Sequence, residues 1–288
     1  MLRYIESVKS CRLGNERPLI VWLPDDAEAA SRTYPVIYMH DGQNLFDPET
    51  SFAGSWDAGQ AMEALEKEGL SAILVGIANA GVERIAEYSP FPDRRHGGGR
   101  GEAYLEFLVE TVKPEIDRRF PTRPGRESTG LLGSSLGGLI SLYGLYRHPE
   151  VFGFCGAMSP SLWFAGGEIY RRLQRFPKPP GRLYLDSGGQ ERRGDWRDRY
   201  LFGYGSWRYA ADIRRLDRQL KRSGFTEADL QTVIDPEGTH SETSWKARLP
   251  DALRFLLEDP GHTMKSCRKP MAAVPESRPA LDSGAPPS

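Results

Sequence analysis

The chain reads as an α/β protein: a largely parallel sheet with helices on both faces and an antiparallel hairpin at one edge. Three observations lead there. Short apolar runs alternate with segments of helical spacing, two alternating segments flank a polar turn near the N-terminus, and one glycine-rich turn joins an apolar run directly to a helix-like one. Regular alternation of strand and helix implies βαβ crossovers, and in such sheets functional groups collect at the carboxyl ends of the strands.

The hairpin comes first, with Tyr4 to Cys11 and Leu19 to Leu23 on either side of Leu13-Gly14-Asn15-Glu16. The runs Val36 to Met39, Ala72 to Ile77, Thr129 to Leu132, Gly153 to Met158, Arg182 to Leu185 and Leu230 to Ile234 follow as buried strands. Between them, helical spacing covers Gly59 to Glu68, Glu102 to Arg119, Leu139 to Arg147, Glu168 to Phe176, Trp207 to Arg222 and Ser244 to Leu257. These elements make one domain over residues 1–260. From about Gly261 the chain becomes rich in Pro, Ser and basic residues without apolar periodicity, so 261–288 is expected to be a disordered tail.

With 288 residues, 39% of them hydrophobic, the chain can bury a substantial core as one large domain. A formal net charge of -1 provides no overall field to attract nucleic acid or an anionic membrane. Cys11, Cys155 and Cys267 are odd in number and widely spaced, which suits neither a disulfide framework nor a zinc site. The N-terminal residues lack the apolar core of a signal peptide, and no stretch reaches membrane-spanning length. The expectation is a soluble cytoplasmic protein with no metal or organic cofactor and an undetermined oligomeric state.

Gly133-Ser-Ser-Leu-Gly-Gly138 lies directly after the apolar run Thr129 to Leu132 and before the run Leu139 to Tyr146. A serine on such a strand-to-helix turn, here Ser135, takes a strained backbone conformation that exposes its hydroxyl, and the helix N-terminus points at it. Glycines two before and two after it keep side chains out of the crowded turn. Activating the hydroxyl requires a base, and His240, between the last strand and the last helix, is the best placed of the histidines. His148 ends the helix after the turn, His262 opens the tail and His40 lies one strand earlier. His96-Gly-Gly-Gly99 sits among Arg94, Arg95 and Arg100 and reads as a flexible basic loop.

A third group must hold the imidazole in the correct tautomer. The strand Arg182 to Leu185 is followed by two candidates, Asp186 and Glu191. Glu191 is preferred, because the intervening glycines let the chain curl towards His240, whereas Asp186 is close enough to the sheet to be a structural acceptor. A tetrahedral oxyanion needs two donors. One is the N–H of Leu136 in the turn itself. The second is expected from His40-Asp-Gly-Gln-Asn-Leu-Phe-Asp47, where Gly42 permits a sharp turn that aims the N–H of Gln43 inward.

Together these motifs resemble the esterase D-like family of α/β-hydrolases, which includes enterochelin, feruloyl and acetyl-xylan esterases, S-formylglutathione hydrolases and mycolyltransferases. The resemblance runs from about Ser7 to Leu257 and also involves Glu87-Tyr-Ser-Pro90, Ser159-Pro-Ser-Leu-Trp163 and Leu185-Asp-Ser-Gly-Gly-Gln-Glu191. It implies Ser135 as nucleophile, His240 as base, Glu191 as acid, and an oxyanion held by the main-chain N–H groups of Gln43 and Leu136. Members vary between Asp and Glu at the acid, and some use a Ser-His pair.

Phe46, Trp56, Tyr88, Trp163 and Trp245 either shape a pocket or anchor the core, and Trp163 is the preferred substrate-binding residue because its loop follows the strand beside the turn. The long connection after Glu191, with Arg192, Arg193 and Arg197, reads as a lid or a solvated rim. The functional reading is a serine esterase acting on a small-molecule ester through an acyl-enzyme. An acyltransferase, a thioesterase, a peptidase, or a catalytically silent binding protein of the same fold are the alternatives.

Overall fold

A computed structural model of the chain describes residues 1–27, 32–51, 54–191 and 206–258, with Ser206 and Trp207 described in their backbone alone. The expected tail, 261–288, and the connection carrying Arg192, Arg193 and Arg197 lie outside the described residues.

The strands are β1 (Leu2–Ser10), β2 (Asn15–Trp22), β3 (Val36–His40), β4 (Ile73–Ile77), β5 (Thr129–Ser134), β6 (Phe154–Met158), β7 (Arg182–Gly188) and β8 (Leu230–Asp235). They form one sheet in the order β1-β2-β4-β3-β5-β6-β7-β8. β1 pairs antiparallel with β2, and β2 antiparallel with β4. Every pairing from β4 through β8 is parallel. Asn15 and Glu16, expected in the hairpin turn, already belong to β2.

Among the described residues the longer helices are α1 (Ala58–Glu66), α2 (101–119), α3 (Leu136–Arg147), α4 (Phe164–Leu173), α5 (Ser206–Arg222) and α6 (Glu242–Leu257). Within α2 a single wide turn, Leu108–Val112, ends two residues before Pro114, which has no N–H to donate to the helical ladder. In α4 regular helix is interrupted at Ala165, Gly166 and Gly167, all with positive φ, and it ends at Leu173 rather than at the expected Phe176.

β3 shows why the sheet is buried on both faces. Val36 and Tyr38 enter one core with residues of α2, α3, α4 and α5, while Ile37 and Met39 enter the other with α1 and α6. Successive side chains point to opposite sides of a strand, so a helical layer on each side requires an unbroken apolar run. Each fully buried Ile or Leu contributes roughly 1.5–3 kcal/mol of apolar transfer. These two layers hold the carboxyl ends of β3, β5, β6, β7 and β8 along one edge, and the candidate site is assembled there.

Candidate active site

The turn between β5 and α3 places Ser135 at φ 56° and ψ -121°, a conformation that side-chain-bearing residues rarely adopt. It is clamped on both sides: the Ser135 N–H donates to Met158 C=O at 3.0 Å, and its C=O accepts from Ser161 N–H at 2.9 Å. His40 crowds both flanking glycines, Gly133 most severely. A Cβ on Gly133 would fall 2.8 Å from His40 Cδ2 and 2.8 Å from the Gly137 carbonyl carbon, and one on Gly137 would fall 3.2 Å from His40 Cβ. Ser134 is buried, whereas Ser135 is partly open to the outside. The Ser135 hydroxyl is turned to Ser161, with the two Oγ atoms 3.1 Å apart.

His240 lies in the loop between β8 and α6. Its Nδ1 is 2.5 Å from Glu191 Oε2, and its main-chain N–H donates to Glu191 C=O at 3.2 Å. The imidazole is 24% exposed and the Glu191 side chain 0%, so the ring reaches outward from a sealed carboxylate. Tyr209 and Trp245 hold the ring from two directions, at centroid distances of 5.2 and 5.0 Å.

Glu191 Oε1 accepts from Ser159 Oγ at 2.6 Å and from Gly188 N–H at 2.5 Å, with Ser187 Oγ 3.2 Å away. Burial pushes this carboxyl up, but the hydrogen bonds from His240, Ser159 and Gly188 outweigh it and hold the group below its ordinary range. Asp186 is sorted differently. It is fully buried and receives Arg248 Nε on Oδ2 at 2.9 Å and the Ser159 N–H on Oδ1 at 3.0 Å. Burial pushes it up to about 6 although Arg248 pulls the other way. Thus Glu191 meets the histidine and Asp186 meets an arginine.

The loop after β3 begins with Asp41 in the left-handed region, at φ 56°, and continues as a single tight turn, Gly42–Asn44. A Cβ on Gly42 would fall 2.5 Å from the Gly76 carbonyl carbon, so this turn lies directly on β4. Arg84 grips the Asp41 carboxylate with Nε and Nη2, each at 2.7 Å, and Asn79 Nδ2 adds a third donor at 2.7 Å. Burial raises the Asp41 carboxyl, but Arg84 and Asn79 bring it below its usual value. The Gln43 side chain accepts from Asn79 N–H at 3.2 Å. The first donor of the turn is Asn44 N–H, to Asp41 C=O, so the Gln43 N–H precedes the turn's own hydrogen bonds. Leu136 is the first residue of α3, where an N–H has no acceptor within the helix.

Trp163 is partly buried, donates from Nε1 to Tyr209 OH at 3.0 Å, and packs against His96 and Phe164. Tyr209 thereby links Trp163 to His240. The other aromatics separate by burial. Trp56 and Trp245 pack on each other in the core, Tyr88 is fully buried with its OH accepting from Asp41 N–H, and Phe46 is partly buried. His96 closes a small ribbon between Pro92–Asp93 and Gly97–Gly98, with Nδ1 on Asp93. His148 caps the end of α3.

The sequence singles out the Ser159–Trp163 segment without giving Ser159 or Ser161 a role, and it does not single out Arg84, Tyr209 or Arg248. Arg248 had a readable signal: it stands three residues after Trp245 and one before Leu249, on the face of α6 that is otherwise apolar. Among the described residues no group of three or more His, Cys, Asp or Glu side chains is arranged to hold a metal ion. Nor is any described helix long and apolar enough to cross a membrane.

The family model described as Putative esterase matches residues 10–256. The chain is 26% identical over 257 residues to the uncharacterized protein YbbA of Bacillus subtilis (strain 168), covering 87% of this chain and 96% of that one. It is 27% identical over 210 residues to the siderophore triacetylfusarinine C esterase of Aspergillus fumigatus, covering 68% and 70%. An IroE-like serine hydrolase from Shewanella oneidensis superposes with a TM-score of 0.70 over 89% of this chain and 80% of its own, at 20% identity, a likeness of fold.

Proposed function

The chain belongs to the Putative esterase family, and from that premise we propose that it is a serine esterase cleaving a small-molecule carboxylic ester through an acyl-enzyme. The observation that carries the reading is the 2.5 Å contact between the sealed Glu191 carboxylate and His240 Nδ1, at the sheet edge where Ser135 stands in its strained turn. With Nδ1–H held by Glu191, His240 Nε2 is left as the acceptor for the serine proton.

In this mechanism Ser135 Oγ turns from Ser161 towards His240 and attacks the acyl carbon as His240 takes its proton. The carbonyl oxygen becomes an oxyanion held by the main-chain N–H groups of Gln43 and Leu136. Collapse breaks the acyl–oxygen bond, and His240 returns its proton to the departing alcohol. Water, deprotonated by His240, then attacks the acyl-enzyme, releasing the acid and restoring the Ser135 hydroxyl. Trp163 forms part of the wall against which the substrate lies.

Siderophore esters are the first substrates to screen, since named relatives act on them. Transfer of the acyl group to another alcohol, or cleavage of a thioester, would use the same groups. A cytoplasmic location belongs to the same reading and rests on three cysteines too widely spaced for a disulfide framework. A fluorophosphonate probe tests the core of the proposal. Wild type is expected to label and hydrolyse a short-chain aryl ester, and Ser135→Ala to do neither. Labelling that survives in Ser135→Ala would remove Ser135 as nucleophile, and a wild type that never labels would favour a silent binding protein.

A further inference from the structure

Building on the reading of Ser135, His240 and Glu191 as a triad, we propose that Ser159 is a positioning residue. Its hydroxyl supplies a permanent donor to one oxygen of the Glu191 carboxylate and so reserves the other for His240. The argument is a count of protons. A serine hydroxyl carries one proton and two lone pairs, whereas an indole N–H and a guanidinium can only donate. Trp245 Nε1 donates to Ser159 Oγ at 3.1 Å, and Arg248 Nη2 donates to it at 3.0 Å. Both lone pairs are thereby filled, and the hydroxyl proton is left with its remaining neighbour, Glu191 Oε1 at 2.6 Å.

An isolated serine reorients freely between donating and accepting. This one cannot, because reversing it would set its proton against the indole N–H or the guanidinium. Ser159, Trp245, Arg248 and Glu191 are all buried, so the bond works in a low-dielectric setting where a charge-assisted hydrogen bond is strong. Gly188 N–H joins Ser159 on Oε1, and His240 has Oε2.

The backbone at Ser159 shows that the hydroxyl is kept there against local preference. Ser159 has φ 42°, in the left-handed region where glycine would be relaxed. Its N–H is anchored to both the main-chain oxygen and Oδ1 of Asp186, each at 3.0 Å, and Asp186 in turn holds Arg248. Asp186 and Arg248 therefore form a frame that aims Ser159, and Ser159 aims the acid. Among the described residues, the charged and titratable groups around this unit are His240 from the β8–α6 loop, Arg248 from α6, Asp186 and the buried Tyr184 from β7, Asp235 at 3.7 Å from Arg248 Nη1, and Tyr209 facing the His240 ring.

Two variants test the inference. Ser159→Gly removes the hydroxyl and relaxes the positive φ, while Ser159→Ala removes it and keeps the strain. Each is compared with wild type through kcat/KM for a short-chain aryl ester across pH and through the downfield proton signal of His240 Nδ1–H. Loss of a hydrogen bond to a charged group predicts kcat lower by about tenfold to a hundredfold in both variants. The acid limb should move to higher pH, because the carboxylate charge concentrates on the oxygen facing the imidazole, and the Nδ1–H signal should be displaced. An acid limb and a signal that stay at their wild-type positions in Ser159→Gly would overturn the role, whatever the melting temperature does. Ser135→Ala, run alongside, separates the two readings. If it stays active, the triad assignment fails; if it is dead while Ser159→Gly keeps the wild-type pH profile, only the role of Ser159 fails.

Discussion

Glu191 Oε2 lies 2.5 Å from His240 Nδ1. Five residues earlier on the same stretch of chain, Asp186 faces Arg248 instead. Two buried carboxylates thus sit within one network with separate partners, and partner identity separates a role in chemistry from a role in the fold.

Exchanging each for its amide should separate those roles. Glu191→Gln is expected to lower kcat by about a thousandfold to ten-thousandfold, through loss of the tautomer that a carboxylate enforces. Asp186→Asn breaks a buried ion pair and should cost about 3 kcal/mol of stability. Steady-state kinetics on an aryl ester and urea unfolding of both variants check the pair. A near-normal rate in Glu191→Gln with collapse in a folded Asp186→Asn would exchange the assignments.

The strain at Ser135 predicts that this residue, the proposed nucleophile, costs the fold something. At φ 56° a glycine is relaxed and an alanine is not. Ser135→Gly should therefore be more stable than Ser135→Ala by about 1 kcal/mol, with both inactive. Thermal unfolding of the two inactive variants measures it directly, and equal stabilities would mean that the turn relaxes without its hydroxyl.

Arg84 holds Asp41 in the loop whose Gln43 N–H is the proposed oxyanion donor. Arg84→Gln removes two short charge-assisted bonds to Asp41 and leaves that carboxylate with Asn79. The expected costs are about 1.5–3 kcal/mol of stability and at least about tenfold in kcat from a displaced oxyanion donor. A rate equal to wild type in the folded variant would show that this loop contributes no donor to the reaction.

His40, wedged beneath the turn, gives the protein a stability that depends on pH. Burial pushes its imidazole down to about 3 from 6.5, against the pull of Asp41. Below pH 6.5 the unfolded chain takes up a proton that the folded chain refuses. This contribution is therefore complete above pH 6.5 and is lost towards pH 3, at about 1.4 kcal/mol per pH unit. Relative to His40→Gln, wild type should lose about 2 kcal/mol between pH 7.5 and pH 5. Urea titrations at the two pH values test this, and parallel losses would mean that His40 protonates inside the fold.

The legible parts of the fold were those with one dominant cause. β3, β4, β5 and β6 are covered on both faces, which demands unbroken apolar runs such as Val36 to Met39. The start of α4 was hidden because Ala165, Gly166 and Gly167 adopt left-handed conformations that helical spacing does not encode. At the site, the turn around Ser135 and the loop before His240 carry local glycine and serine signatures. Ser159 shows only as part of the Ser159–Trp163 segment, and Arg248 only as a charge on the apolar face of α6. Arg248 would ordinarily be solvated, and its burial depends on Asp186 and Ser159, which approach from distant parts of the chain. Arg84 on Asp41 escaped notice for the same reason.

The strand order has a consequence in time. The β3 loop, β4, and the β5 turn with its helix precede β8 and α6 in the chain, although all meet at one sheet edge. A chain emerging from the ribosome therefore exposes Ser135 and the β3 loop before His240 exists, and on the proposed mechanism the serine stays without its base until β8 and the loop after it are added. Ester cleavage would be the last property the growing polypeptide acquires, and its onset would report that synthesis has passed the closing helix.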